Sequence, residues 1–250
     1  MIAAVFSGFL LALLAPTVVR LARGQAGWLL ALLPAGLTLS FARRLGPVAA
    51  GRTVAVSVPW VPDLGISLSF YLDGLSLLFA LLICGIGTLV VVYAGSYLKG
   101  HPHLGRFYLY LLTFMASMLG LVLADNGLTM FVFWELTGLS SFLLIGFEHE
   151  RESARAAALQ ALLVTGAGGL ALLAGLVLLA KVGGSPEFSA LLQNGRGIQS
   201  HPLYLPILLL VLAGAFTKSA QFPFHFWLPS AMEAPTPVSA YLHSATMVKA

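Results

Sequence analysis

The stretch LDGLSLLFALLICGIGTLVVVYAGSY (72–97) carries one charge, Asp73, and no Asp, Glu, Lys or Arg in the 24 residues after it. About 20 apolar helical residues cross the hydrocarbon core of a bilayer, so the segment reads as a membrane span. Asp73 stands just before the apolar run, where a carboxylate accepts free backbone N–H groups, and it fits a helix N-cap. The rest of the chain agrees. Of its 250 residues 59% are hydrophobic and 9% charged, with a mean hydropathy of +0.94. A soluble domain carries about 25% charged residues, and the 13 Lys+Arg and 9 Asp+Glu here are too few to cover a soluble surface. The excess apolar mass faces lipid.

Working outward, the same length criterion gives spans near 2–19, 26–42, 72–97, 107–124, 127–147, 156–180 and 203–222, with an eighth from about 236 onward. Arg20 and Arg23 close the first, and Arg43 and Arg44 the second. "DNG" (125–127) is a turn signal. "EHERESAR" (148–155) concentrates charge and must be aqueous. A polar stretch at 182–202, with Pro186, Asn194, Gly195 and Gly197, separates spans six and seven. Residues 53–70 alternate weakly around Pro59 and Pro62 and read as an interfacial loop with room for a short strand or hairpin. The first span lacks the basic n-region of a signal peptide and reads as a retained helix. The eighth has run about 15 residues at Ala250, so 1–250 reads as one membrane domain belonging to a longer protein. Basic residues divide six to five between the two sides, which leaves the orientation open.

The net charge of +4 does not suggest a nucleic-acid partner, because the basic residues are scattered. Cys84 is the one cysteine, so disulfides and cysteine-ligated zinc or iron–sulfur centres are excluded. There is no GxxxxGK[ST], HExxH or GxSxG, and no paired-histidine pattern. No cofactor and no metal site is expected.

Ionisable groups within spans cost at least about 2.5–3.5 kcal/mol at mid-bilayer and are functional candidates by default. Glu135 lies near the centre of span five, in FVFWELTGLSSFLLIGF (131–147), with Gly138 on its face leaving room for a neighbour. Lys218 lies near the end of span seven, in LAGAFTKSAQFPFHFWLP (212–229), with Gly214 one turn earlier. Pro223 and Pro229 predict a broken helix there, and exposed backbone at membrane depth is tolerated where it is buried in protein or lines a cavity. His243 and Lys249 share the eighth span. On a continuous helix Ser239, His243, Thr246 and Lys249 fall within about 120°, a polar stripe suited to a hydrated path; histidine titrates near pH ~6.5 when unperturbed.

Each has a plainer reading: a structural ion pair for Glu135, interfacial snorkelling for Lys218 and Lys249, a packing residue for His243. His225 and Glu233 follow the break, with either role open. Asp125 reads as a turn residue, Glu148, Glu150 and Glu152 as a solvated loop, and Trp60, Trp134 and Trp227 as packing or interfacial anchors.

WELTGLSSFLLIGF (134–147), TKSAQFPFHFWLPSAMEAPTPVSAYLHSATMVKA (217–250) and FYLDGLSLLFALLICGIGTLVVVYAGSYL (70–98) resemble the antiporter-like subunits shared by respiratory complex I and the Mrp cation/proton antiporters. "WELT", "SSFLLIGF" and Lys249 make the likeness nearest to the Mrp A subunit. That resemblance implies an all-α multi-pass protein of the bacterial cytoplasmic membrane with its N-terminus outside. It also implies two inverted five-helix repeats, each with a broken helix, of which this chain holds the first. Glu135 matches the family's helix-five glutamate, Lys218 its helix-seven lysine and His243 its helix-eight histidine. The implied function is proton translocation in a multisubunit Na⁺/H⁺ antiporter, a secondary transporter rather than an enzyme, with other membrane subunits, H⁺ and Na⁺ as partners. The alternative is a proton-pumping subunit of a complex I-type NADH:quinone oxidoreductase. A scaffold whose buried charges only fix packing is a third. In the relay reading, burial favours neutral lysine and a nearby carboxylate favours the ammonium. Separating Glu135 from Lys218, or protonating it, sends a proton onward through His243 and Lys249.

Overall fold

The computed structural model describes residues 1–22, 24–62, 66–244 and 246–249. Arg23 and Ala250, expected at the close of the first span and the end of the eighth, lie outside them. Twelve α-helices and one hairpin follow in chain order among the described residues: α1 (Ile2–Leu21), α2 (Ala26–Ala42), α3 (Leu45–Ala49), β1 (Val54–Val61), β2 (Ile66–Leu72), α4 (Gly74–Tyr97), α5 (Leu104–Leu123), α6 (Gly127–Ile145), α7 (Glu152–Gly183), α8 (Phe188–Leu191), α9 (Gly195–Gln199), α10 (Tyr204–Lys218), α11 (Trp227–Ser230) and α12 (Thr236–Ser244). Six stretches are long and apolar enough to cross a membrane: α1, α2 continued through α3, α4, α5, α6 and α7. The 15-residue α10 is a shorter apolar helix.

Local chemistry fixes the helix starts. The Asp73 carboxylate accepts the Ser76 backbone N–H at 2.9 Å, while the Ser76 hydroxyl accepts the Asp73 N–H at 2.8 Å. This reciprocal pair satisfies two donors that the helix leaves free. Asn126 caps α6 by accepting from the backbone of Leu128 and Thr129. The loop at 53–70 is an antiparallel hairpin, with Val54 opposite Leu72 and Ser57 opposite Ser69. One polar cluster ties it to the bundle. Glu187, just before α8, accepts from the hydroxyls of Ser67 and Ser69 at 3.0 and 2.8 Å, and Thr129 of α6 donates to the Ser67 carbonyl.

Helix α5 is the hub. Phe107, Tyr108, Leu111, Phe114, Met115 and Met118 are all buried, and α5 packs against α1, α4 and α6. Its neighbour α1 leaves Leu10, Leu13 and Leu21 exposed, as a lipid-facing helix does. On the other side α7 lies between α6 and α10, which places the Glu135 and Lys218 helices on one common neighbour.

Two spans differ from the sequence reading. The seventh stops at Lys218 rather than about 222, because the chain turns there. The Ala220 backbone is left-handed (φ 53°), and Gln221 N–H reaches back to the Phe216 carbonyl. The eighth is not one α-helix from 236 onward. α12 ends at Ser244, and a 3₁₀ turn covers Met247–Lys249. The Thr246 hydroxyl takes the Tyr241 carbonyl at 2.6 Å, a side-chain bond that competes with the regular ladder. The stripe of Ser239, His243, Thr246 and Lys249, drawn on a continuous helix, therefore does not extend to Lys249 in this form.

Candidate functional site

Lys218 ends α10 and is 1% exposed. Its Nζ points into α6, donating to the Thr137 Oγ1 at 2.6 Å and the Trp134 carbonyl at 3.1 Å. It also lies 4.7 Å from the Trp134 ring centroid, within cation–π range. The Thr137 hydroxyl donates its own hydrogen bond to the Trp134 carbonyl at 2.7 Å, which leaves its oxygen as an acceptor for the amine. Two acceptors satisfy a neutral amine, which has two N–H donors, whereas an ammonium has three. The nest thus offers the amine two hydrogen-bond acceptors and an aromatic face but no carboxylate in direct contact.

Glu135 is on the same turn of α6 but does not form an ion pair with Lys218. The ion pairs among the described residues are Arg151–Glu148 and Arg151–Glu233. The Glu135 carboxylate, half-buried, lies against Gly169 of α7, where a Cβ would fall on its Oε1. The Trp134 indole N–H shares that patch and is buried without an acceptor. The site is thus a lysine in a hydroxyl–carbonyl nest with a carboxylate beside it.

Glycines of α7 bring the elements together. At Gly168 a Cβ would meet Thr217 Oγ1 well inside van der Waals contact and its Cβ at 2.6 Å. At Gly214 a Cβ would stand 2.9 Å from the Gly168 carbonyl. These contacts let α10 approach α7 closely enough for Lys218 to reach Thr137. Gly138, expected to open the space beside Glu135, has only ordinary contact with Thr165 at 4.0 Å. The sequence signal for the true contact is the run TGAGG (165–169), small residues in the middle of a span.

The break after Lys218 is held by Trp227, which is fully buried and donates its indole N–H to the Thr217 carbonyl at 2.9 Å. Trp227 is thus more than packing: it satisfies a backbone acceptor freed where α10 ends. Trp227→Phe is expected to leave that carbonyl only the long 3.4 Å bond from the Ala220 N–H, at a cost of about 0.5–1.5 kcal/mol. The readout is a lower thermal unfolding midpoint of the purified complex; an unchanged midpoint would mean that the carbonyl finds another donor.

The other candidates are not gathered at Lys218. Pro223 lies in the turn, and His225 is exposed with its ring 5.9 Å from Phe222. Glu233 pairs with Arg151 and accepts from Ser153, tying the end of the broken segment to the start of α7. His243 has both ring nitrogens buried without partners among the described residues, and no hydrogen bond or ion pair joins it to Glu135 or Lys218. Lys249 is exposed at the edge of a cavity of about 600 Å³ that also touches Asp73, Asp125 and Trp134. Trp134 therefore borders both the Lys218 nest and the space beside Lys249. Asp125, read as a turn residue, is 7% exposed and binds the Ser189 N–H and hydroxyl at 2.9 and 2.6 Å, an anchor between elements that sequence spacing did not reveal.

Comparison with known proteins agrees with this architecture. Residues 124–250 match the family described as NADH:quinone oxidoreductase/Mrp antiporter, TM. Residues 59–108 match that described as NADH-Ubiquinone oxidoreductase (complex I), chain 5 N-terminus. The chain is 52% identical over 249 residues to the A subunit of the Na(+)/H(+) antiporter of Alkalihalophilus pseudofirmus, covering 99% of this chain and 31% of that protein. It is 48% identical over 248 residues to the A1 subunit of the Na(+)/H(+) antiporter of Staphylococcus haemolyticus, again covering 99% and 31%. It spans about a third of the length of these curated relatives. A chain of the Mrp complex from Dietzia sp. DQ12-45-1b superposes with a TM-score of 0.89 at 42% identity, over 98% of this chain and 26% of that one. A chain of the membrane-bound sulfane sulfur reductase, an archaeal respiratory membrane complex, gives 0.83 at 21% identity, over 99% and 50%, and shares the fold. With a family match over more than half of its residues, and a buried lysine beside a broken helix within that match, the chain belongs to the NADH:quinone oxidoreductase/Mrp antiporter transmembrane family.

Proposed function

We propose that this chain translocates protons as part of a multisubunit Na⁺/H⁺ antiporter in the cell membrane, with its N-terminus outside. Lys218 is the proton carrier. One observation carries the reading: a lysine 1% exposed has two neutral acceptors and no ion-pair partner. An uncompensated buried ammonium costs several kcal/mol, so the nest favours release of the proton, and the neighbouring Glu135 favours its uptake. Movement of the Glu135 carboxylate toward or away from the amine switches between the two. The unpaired Trp134 N–H marks a place for an ordered water in that patch. His243, with two unpaired ring nitrogens among the described residues, is the next relay, and Lys249 follows it in this path. Glu233 and His225 belong to the aqueous end of the broken segment. The names of the two relatives, both Na(+)/H(+) antiporter components, support Na⁺ as the exchanged ion.

Glu135→Gln in the complete complex keeps the shape of the side chain and removes its charge. Sodium added to everted vesicles is expected to collapse a preformed pH gradient roughly 100-fold more slowly, the lower end of the range for loss of a proton-transfer group. An unchanged rate would remove Glu135 from the relay. Sodium-driven proton movement without NADH or quinone also separates this reading from a complex I-type pump, which the shared family description keeps as the second reading.

A further inference from the structure

Where α5 begins, α6 ends and α7 begins, the three helices enclose a groove of about 410 Å³. Its floor is apolar, with Tyr110, Phe142, Leu143 and Leu159. Leu143 and Leu159 are 40% and 51% exposed. Its rim is basic, with Arg106, His149 and Arg155. The 32 residues of α7 measure about 48 Å at 1.5 Å per residue, against a hydrocarbon core of ~30 Å. The first turn of α7, which carries Arg155, thus fits at the membrane–water boundary, with the apolar floor extending toward the hydrocarbon.

The rim charges are unspent. Both ion pairs among the described residues belong to Arg151, whose pKa is raised first by its hydrogen bond with Glu148 and then by the charge of Glu233. Arg106 has no carboxylate within 4.0 Å among the described residues, and its guanidinium lies 5.4 Å from the Phe147 ring centroid. Its Nη2 makes only long contacts, 3.4 Å to the Phe147 carbonyl and 3.5 Å to His149 Nδ1, and its Nε is buried without an acceptor. Arg155 donates to the neutral carbonyls of His149 and Glu150 at 2.6 and 3.1 Å. A cation there opposes the positive end of the helix dipole, and Glu152 in the same turn offsets part of that.

We propose that this groove binds an anionic phospholipid, its phosphate between Arg106 and Arg155 and an acyl chain over Leu143 and Leu159. Guanidinium forks match phosphate oxygens, basic pockets between membrane helices hold anionic headgroups, and the exposed apolar floor continues the site into the hydrocarbon. A free anion would use only the rim. The proposal does not depend on the antiporter reading.

The test is native mass spectrometry of the complete, delipidated complex titrated with phosphatidylglycerol. Wild type is expected to retain one lipid that phosphatidylcholine does not replace. Arg106→Gln with Arg155→Gln weakens retention roughly 30-fold, two surface-arginine contributions. Arg155→Gln alone, at an exposed side chain that leaves folding intact, weakens it roughly 5-fold. Equal retention by wild type and both variants overturns the proposal. So does displacement of the lipid by millimolar inorganic phosphate, which would make this a headgroup-only anion site. Cross-linking of Leu159→Cys to a neighbouring protein of the complex overturns it too, since the groove would then be a protein interface.

Discussion

Lys218→Ala in the complete complex is expected to abolish sodium-driven proton movement in everted vesicles, a loss of roughly 100-fold or more, the scale at which positioned proton-transfer groups act. The reason lies in what remains. Without the amine, Thr137 keeps its bond to the Trp134 carbonyl, and the apolar wall of Trp134 faces an empty nest with no titratable group. Removing the side chain strands no buried partner but leaves a cavity, so the complex is expected to assemble with a lower thermal midpoint. Lys218→Arg sharpens the result. Guanidinium keeps the positive charge but does not deprotonate in proteins. A proton carrier therefore fails in the arginine variant as it does in alanine. If Lys218 were only a structural cation, arginine would keep exchange, and full activity there would reject the relay.

Much of the fold was legible because membrane spanning is a length and composition constraint. The uncharged run after Asp73, the Asp73 cap itself and the proline-marked break after Lys218 each follow from chemistry local in sequence. Partners across helices do not. α6 and α7 are apolar on most of their circumference, so hydropathy does not distinguish the face meeting lipid from the face meeting protein. That is why the sequence does not reveal that the amine rests on Thr137 and the Trp134 carbonyl while Glu135 lies on Gly169. Thr137 gave no signal as a lysine acceptor because a buried threonine in a span more often bonds its own helix, as Thr165 does to Ala161. Likewise Glu187, in a loop 118 residues from Ser69, had no sequence mark of the cluster it organises. The stripe across the eighth span departs for a different reason: an extrapolated helical wheel assumes an unbroken backbone ladder, whereas Met247–Lys249 form a 3₁₀ turn and the Thr246 hydroxyl donates to the Tyr241 carbonyl.

The tight helix contact beside the site gives the other large effect. Gly168→Val is expected to disrupt the α7–α10 interface and, with it, the Lys218 nest. At Gly168 even one methyl carbon would lie 2.6 Å from the Thr217 Cβ, and the opposite Gly214 stands with its own Cβ position 2.6 Å from the Leu172 Cβ. Gly168 meets the short Thr217 side chain, and the Gly214 Cβ position also lies 2.9 Å from the Gly168 carbonyl, so no long side chain separates the two helices. Thr217 is also pinned, its hydroxyl bonded to the Gly214 carbonyl at 2.8 Å and its carbonyl capped by Trp227. Ordinary overpacking costs about 1–3 kcal/mol, and a contact this rigid belongs at or above the upper end. Separating the helices withdraws Lys218, next in sequence to Thr217, from Thr137. Gly166→Ala is the control: the same run and the same helix, but no atom within 4 Å of its Cβ position. The expected result is reduced recovery and a lower thermal midpoint for the valine complex, with exchange lost in whatever assembles, while the alanine variant behaves as wild type. A Gly168→Val complex with normal stability and normal exchange would show that α10 reaches its active position without this contact.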